Sequence, residues 1–271
     1  MNKTILTAIA AAVIGVHSAQ AALIGNPAGA WLFDGDLTDS SGNGNDGSVA
    51  LGDPSYTTPD NVPFPAAYPP VNTALWLDGN DAVTVAPDAS ISTRTGSFTV
   101  QAWVKRLVAN KSALSKRTAG QADNWELVIG SDANNMRWIL GADGGNIELA
   151  HNAVGNFGTW HHYVLVADRS SDQAHFYYDG ILVDTESIAG AGDLDGAGDG
   201  HPLIIGGTSN LGSGIIQTID GRLDEIAIFQ RALSGPEVLG LYNNSIIPEP
   251  GTLAMLCLGF GVLFTARKRI R

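Results

Sequence analysis

The chain has 271 residues, 33 glycines, 12 prolines, only 15% charged residues and a net charge of −12. Such a length buries a sizeable core without cross-links, and the single cysteine, Cys257, excludes an internal disulfide framework. The acidic balance argues against nucleic acid and anionic membrane surfaces as partners.

Met1 to Ala21 has the pattern of a secretory signal peptide: Lys3 at the start, an apolar core from Ile5 to Val16, and the small-x-small end Ala19-Gln20-Ala21. The mature chain is expected to begin near Ala22 and to leave the cytoplasm.

The body, residues 22–244, reads as short strands separated by turn residues. Ala30 to Phe33 is a first strand. Asp34 to Gly47 (DGDLTDSSGNGNDG) is a turn region, and Val49 to Leu51 a second short strand. Six prolines between Asp53 and Asn72 make an irregular loop. Leu75 to Gly79 and Ala82 to Val85 form a hairpin. Ser97 to Leu107 alternates, with Phe98, Val100, Ala102 and Val104 on one face and Thr99, Gln101, Trp103 and Lys105 on the other. Ala113 to Ser115, Trp125 to Ile129, Met136 to Leu140 and Ile147 to Ala150 follow as strands.

Trp160 to Asp184 is a three-stranded meander, with a polar turn at Asp168 to Asp172 and a tight turn at Asp179-Gly180. It is the expected scaffold, with Trp160 and Phe176 in the core. Leu203 to Ile205 and Ile219 to Phe229 complete the strands. Ser234 to Tyr242 is the one helix, with Ser234 as N-cap, Pro236 in the first turn and Glu237 at the capping-box position. Many glycines and polar turns between short apolar runs predict an all-β sandwich or jelly roll of two antiparallel sheets.

Residues 245–271 differ from the body. Pro248-Glu249-Pro250 precedes an apolar run over about 251–266, and Arg267-Lys268-Arg269-Ile270-Arg271 closes the chain. The run is short for a spanning helix, which needs about 20 residues. The basic end places the body outside by the positive-inside tendency. Without Lys3 and the four basic residues of this tail, 10 basic residues face 27 acidic ones. The tail resembles the PEP-CTERM sorting signal of Gram-negative bacteria. That resemblance implies recognition by an exosortase, cleavage near Pro248 to Pro250, transient anchorage by the C-terminal helix, and a place in the envelope or matrix of a biofilm-forming cell.

The body resembles the LamG-like family with the concanavalin A-like jelly-roll fold. The matching pieces are Trp31-x-Phe33, Asp39 to Asn45 (DSSGNGN), Leu77-Asp78-Gly79, Phe98 to Val104, Trp160 to Val164, Tyr178-Asp179-Gly180, Gly221 to Phe229 and Arg231 to Ser234. The resemblance implies two packed sheets of about six or seven strands each. It also implies a structural calcium ion near the Asp39 turn, with an acidic residue from the last strand.

Enzymes of this fold carry alternating carboxylates on one strand, and no E-x-D-x-E run is present. Asp224 and Glu225 are adjacent, which puts them on opposite faces of a regular strand. Asp220, Arg222 and Asp224 share a face, which favours a salt link. Glu126 and Glu148 stand alone. His161 and His162 face opposite sides, and His175 comes near one of them only if the meander folds so. No nucleophile elbow, phosphate loop, cysteine metal motif or basic patch is present.

Hard cations need several oxygen ligands. Asp39, Asn43, Asn45 and Asp46 lie within reach of one another; with the last-strand acid that the resemblance implies, Asp224 or Glu225, the candidate Ca2+ ligands are Asp39, Asn43, Asn45 and Asp224. The alternative is that these side chains close the turn through their own backbone. Sugar rings stack on exposed aromatics, which makes Trp125, Trp138, Tyr56 and Tyr68 candidates, although most tryptophans belong to the core. Three functions stay open: a non-enzymatic surface module that binds glycan or exopolysaccharide, a divergent glycan-active enzyme, or a structural matrix component.

Overall fold

The computed structural model describes residues 25–246 apart from 58–62, 64–71, 94, 109–110, 120–123, 131–134, 143–144, 153–156, 195–199, 211 and 245. The signal peptide, Tyr68, Pro248, Glu249, Pro250, the apolar run with Cys257, and Arg267, Lys268 and Arg269 lie outside the described residues. Among the described residues no helix is long and apolar enough to cross a membrane.

The elements in chain order are β1 (Gly29–Trp31), β2 (Gly47–Leu51), β3 (Ser55–Tyr56), β4 (Leu75–Asp78), β5 (Ala82–Val85), β6 (Phe98–Arg106), β7 (Lys111–Ser115), β8 (Trp125–Ile129) and β9 (Asn135–Ala142). Then come β10 (Gly145–Asn152), β11 (His161–Asp168), β12 (Gln173–Tyr178), β13 (Ile181–Ser187), β14 (Leu203–Ile205), β15 (Thr208–Asn210), β16 (Gly214–Ile216), β17 (Asp220–Phe229) and α1 (Gly235–Asn243).

Two large antiparallel sheets pack face to face. One has eight strands in the order β13-β12-β11-β6-β17-β4-β3, with β1 added along β17; the other has seven, in the order β10-β9-β8-β7-β14-β5-β2. A small ribbon, β15-β16, stands apart. This is the jelly-roll sandwich expected from the alternation. The ribbon was not foreseen, because its short polar strands carry no periodic apolar signal.

The period-2 pattern explains the packing. Phe98, Val100, Ala102 and Val104 of β6 point inward and are buried, as are Leu75 and Leu77 of β4. They meet Trp125, Leu127, Trp138 and Leu140 of the facing sheet in one continuous core. Each such side chain contributes roughly 1.5–3 kcal/mol by leaving water. Trp125 and Trp138 meet edge to face at 5.9 Å. Phe176 is core as expected, whereas Trp160 is half-buried and precedes β11.

A second apolar cluster covers part of the outward face of the eight-stranded sheet. Val238 and Leu241 of α1 pack on Val164, Val166, Ala227 and Phe229. The capping box is present: the Glu237 carboxylate accepts from Ser234 N and Oγ, both at 2.8 Å. That makes the outward face two regions, one roofed by the helix and one open.

Candidate functional site

The open region lies where β4, β17 and β6 run side by side. In the run Leu75-Trp76-Leu77-Asp78 the two leucines face the core, so Trp76 and Asp78 must face out. The register sets Trp76 opposite Arg222, and Arg222 opposite Lys105. One row across three strands therefore carries an indole, a guanidinium and an ammonium. The neighbouring row pairs Asp78 with Asp220.

The platform is held closely. The Asp81 carboxylate accepts from Asp78 N at 2.9 Å and from Asp53 N at 2.9 Å, which closes the turn after β4. Thr218 Oγ1 donates to the Gly79 carbonyl and ties this turn to the start of β17. Gly221 sits against β6, where an added Cβ would lie 2.7 Å from the Lys105 carbonyl oxygen. Any side chain there would push Arg222 away from Lys105.

Trp76 is 41% exposed. The Arg222 guanidinium lies over its ring, with Cζ 5.2 Å from the centroid. Such a contact is worth about 0.5–1 kcal/mol at an exposed site. Arg222 Nε is buried without a hydrogen-bond partner. The salt link expected between Arg222 and Asp220 or Asp224 is absent among the described residues; the guanidinium turns to the indole instead. Burial, and next the Arg222 charge, pull the Lys105 pKa below its usual value. Sequence reading missed this row. The signal was available in the alternation of β4, but the register that joins three strands was not.

The residues expected to hold calcium do not form one site. Asp39, Asn43 and Asn45 do share a turn. The Asp39 carboxylate, however, is filled by donors: Ala30 N and Ser41 N on Oδ1 at 2.9 Å each, and Ser41 Oγ, Asn45 N and Asn45 Nδ2 on Oδ2 at 2.8, 2.9 and 3.2 Å. Those N–H and O–H groups occupy the directions from which a cation would be held. Asn43 Nδ2 and Asn45 Nδ2 both donate to the Ala28 carbonyl, at 2.9 and 3.1 Å. Asp46 Oδ1 takes the Asp39 N–H at 2.8 Å. The turn closes through its own backbone, and Asp39 is its centre.

Asp224 belongs to a different neighbourhood, with Glu225 and Asp34 as its electrostatic neighbours. Burial first, then those two charges, push its pKa well up. Glu225 is not on the opposite, solvent-facing side either. The β17 register shifts between Asp224 and Ala227, and Glu225 takes a φ of 50°, so both carboxylates are buried. Glu225 Oε2 accepts the Ile246 N–H at 2.6 Å. Among the described residues no group of three His, Cys, Asp or Glu side chains is arranged to hold a metal.

The aromatic candidates are corrected in the same way. Trp125 and Trp138 are 0% exposed and belong to the core, and Tyr56 is partly buried against it. Glu126 and Glu148 do not stand alone: both pair with Ile139 and so share the outward face of the seven-stranded sheet. Each is engaged by an arginine, Glu126 with Arg117 at 3.9 Å and Glu148 with Arg137 at 3.4 Å. Burial raises the Glu126 pKa, against hydrogen bonds from Ser112 and Thr208 and the Arg117 charge.

The histidines do not cluster around His175, which bonds Thr185 across β13 at 3.0 Å. His161 Nδ1 meets Asp179 Oδ2 at 2.7 Å, and His161 Nε2 meets Thr159 Oγ1 at 2.8 Å. Asp179 Oδ1 also accepts the His162 N–H at 2.9 Å, so the group closes the Asp179-Gly180 turn onto β11. A shallow cleft of about 260 Å³ between the β9-β10 turn and the segment after β13 is lined by small residues such as Ala142, Gly145, Ser187 and Gly190. Among the described residues its lining has no charged or aromatic side chain.

No curated protein matches the sequence. Solved structures do match the fold. The binding domain of Paraclostridial Mosquitocidal Protein 1 is 18% identical with a TM-score of 0.61, over 80% of this chain and 52% of that one. The botulinum neurotoxin serotype G binding domain is 17% identical with a TM-score of 0.60, over 80% and 50%. The chain thus spans about half the length of these toxin domains. Domain 4 of AbnA, a GH43 extracellular arabinanase from Geobacillus stearothermophilus solved with arabinotriose, is 19% identical with a TM-score of 0.54, over 82% and 99%. A family profile matches residues 77–239, from the end of β4 into α1, and by that match the chain belongs to the Laminin_G_3 family of the concanavalin A-like lectin/glucanase superfamily.

Proposed function

We propose that the protein is an exported, non-enzymatic binding module for glycan, and that the row Trp76, Arg222 and Lys105 with Asp78 and Asp220 is its contact surface. The observation that carries this reading is the exposed indole of Trp76 on a rigid sheet, flanked by charged groups that can hydrogen-bond sugar hydroxyls. The family supports it, as does the likeness to binding domains that include one holding arabinotriose.

The signal-like start at 1–21 and the tail with Pro248, Glu249 and Pro250 support export and sorting by an exosortase to the cell envelope or matrix. A polysaccharide of that matrix is the partner in this reading. Calcium has no role in the contact surface, because the Asp39 turn spends its oxygens on backbone donors.

The test is a glycan array with the purified protein and its Trp76→Ala variant. Binding to one or more polysaccharides, lost in the variant while its melting curve stays intact, supports the reading. Binding that is indifferent to Trp76 moves the site elsewhere. No binding to any glycan overturns the function.

A further inference from the structure

Helix α1 is aimed at the open row. Just before its N-cap the Leu233 N–H donates to Thr99 Oγ1 of β6 at 3.0 Å. In its last turn Tyr242 stacks on Trp103, further along the same strand, at 5.6 Å. The helix therefore runs along β6 toward Lys105, and Lys105 is the register partner of Arg222. Past the helix the chain is caught once more: Ile246 is buried, and its N–H donates to Glu225 Oε2 at 2.6 Å. Ile247 alone separates that clasp from Pro248.

Reach and chemistry agree. From Glu225 to Arg222 is three residues of β17, about 10 Å at the rise of a strand. From Ile246 to Glu249 is also three residues, which span about 10 Å when extended. Glu249 is the one acidic residue of the chain after Glu237. Asp224 and Glu225 lie nearer the exit but are buried, and Asp78 and Asp220 stand one row further on. The first exposed row on that path holds Arg222, whose Nε has no hydrogen-bond partner and whose guanidinium rests on the Trp76 indole. Adjacent strands lie about 4.8 Å apart, so neighbouring residues of an extended segment can meet Arg222 on β17 and Trp76 on β4. Prolines leave no N–H unsatisfied on an open sheet face, and proline-rich segments dock on aromatic surfaces at low entropic cost.

We propose that Pro248-Glu249-Pro250 of this same chain docks on the open row, with the Glu249 carboxylate on the Arg222 guanidinium and the Pro250 ring against the Trp76 indole. The tail then covers in cis the surface assigned above to glycan, and its removal uncovers that surface. The docking stands on the exit path and the charges; only this consequence rests on the glycan-binding reading.

The test is cysteine cross-linking in the full chain in detergent micelles, with Cys257→Ser removing the one native thiol. Asp78→Cys with Gly251→Cys leaves Trp76, Arg222, Glu249 and Pro250 intact. Thr84→Cys with Gly251→Cys is the control, because Thr84 lies on the outer face of the other sheet. The first pair is expected to form its disulfide at least about tenfold faster than the control, and to slow about tenfold when Glu249→Gln or Arg222→Gln removes one charge-assisted contact. Arg222→Lys keeps the charge and is expected to retain most of the rate, which guards against a folding defect in the glutamine variant. Equal rates in the two pairs, or a rate indifferent to both Glu249→Gln and Arg222→Gln, overturn the docking. No glycan enters the assay, so that failure leaves the glycan-binding reading standing, and a glycan array without binders leaves the docking standing.

Discussion

The indole of Trp103 on β6 stacks on the phenol of Tyr242 on α1, with centroids 5.6 Å apart and planes 10° from parallel. His162 on β11 joins both rings, 5.1 Å from the indole and 6.1 Å from the phenol. This stack fastens the helix to the sheet and marks the border of the open face, because Trp103 is also the register partner of Asp224.

His162 is buried, and burial drives its pKa down to about 3, partly opposed by the Asp179 charge. The folded state therefore holds it neutral, with Nε2 2.9 Å from Gln101 Oε1. In the unfolded chain it protonates near 6.5. Its contribution to stability is present above about pH 6.5 and is lost as pH falls toward 3, by about 1.4 kcal/mol per pH unit at most. Urea unfolding at a series of pH values checks this: the slope below pH 6.5 is expected to flatten in His162→Gln.

Asp224 acts in the opposite sense. Its folded pKa is raised, so its favourable contribution is full below about 3.9 and is lost as pH rises through the folded value. Burial and the neighbouring Glu225 and Asp34 disfavour its charged form. Asp224→Asn keeps an oxygen for the Glu225 N–H, which Asp224 Oδ1 now accepts at 2.8 Å, and removes the charge. The variant is expected to be more stable than the wild type by about 1–3 kcal/mol at pH 7, with the difference vanishing near pH 3.5. Thermal melts at the two pH values decide it. In this background the His162 effect is also read more cleanly.

Asp39 is the turn's anchor. Burial opposes its ionisation, but the donors from Ser41, Ala30 and Asn45 outweigh it and hold the pKa low. Its stabilisation is present above about pH 3.9 and is lost as pH falls through the lower folded value. Asp39→Ala leaves the N–H groups of Ala30, Ser41 and Asn45 without their acceptor, and is expected to cost about 3–5 kcal/mol. Calorimetry with and without millimolar calcium is the check. The loss is expected to be the same in both, since the turn's oxygens are taken by protein donors.

Trp76→Ala separates stability from function. The side chain is half in water and its main contact is Arg222, so the expected cost is about 1 kcal/mol or less. A thermal shift of a few degrees at most, together with loss of glycan binding, is the expected pair of results. A large fall in melting temperature would instead make Trp76 a packing residue.

The sequence by itself determined the long strands, the helix and the sandwich, but neither β3, which lies in the proline-rich stretch expected to be irregular, nor the β15-β16 ribbon. Their signals are local: the two-residue alternation of β6, the turn at Asp179-Gly180, and the capping box of Ser234 and Glu237 each depend on neighbours a few positions away. The tertiary structure decided which tryptophan meets solvent, which carboxylates share an environment, and which cations stand together. Trp125 and Trp138 are core because a second sheet covers them, while Trp76 is open because α1 roofs a different part of its sheet. Asp224 and Glu225 are both buried because a bulge breaks the alternation that would separate them. Trp76, Arg222 and Lys105, distant in the chain, meet only through the pairing of β4, β17 and β6. Such pairing is set by how two whole faces bury against each other, a sum over many residues that no local spacing records.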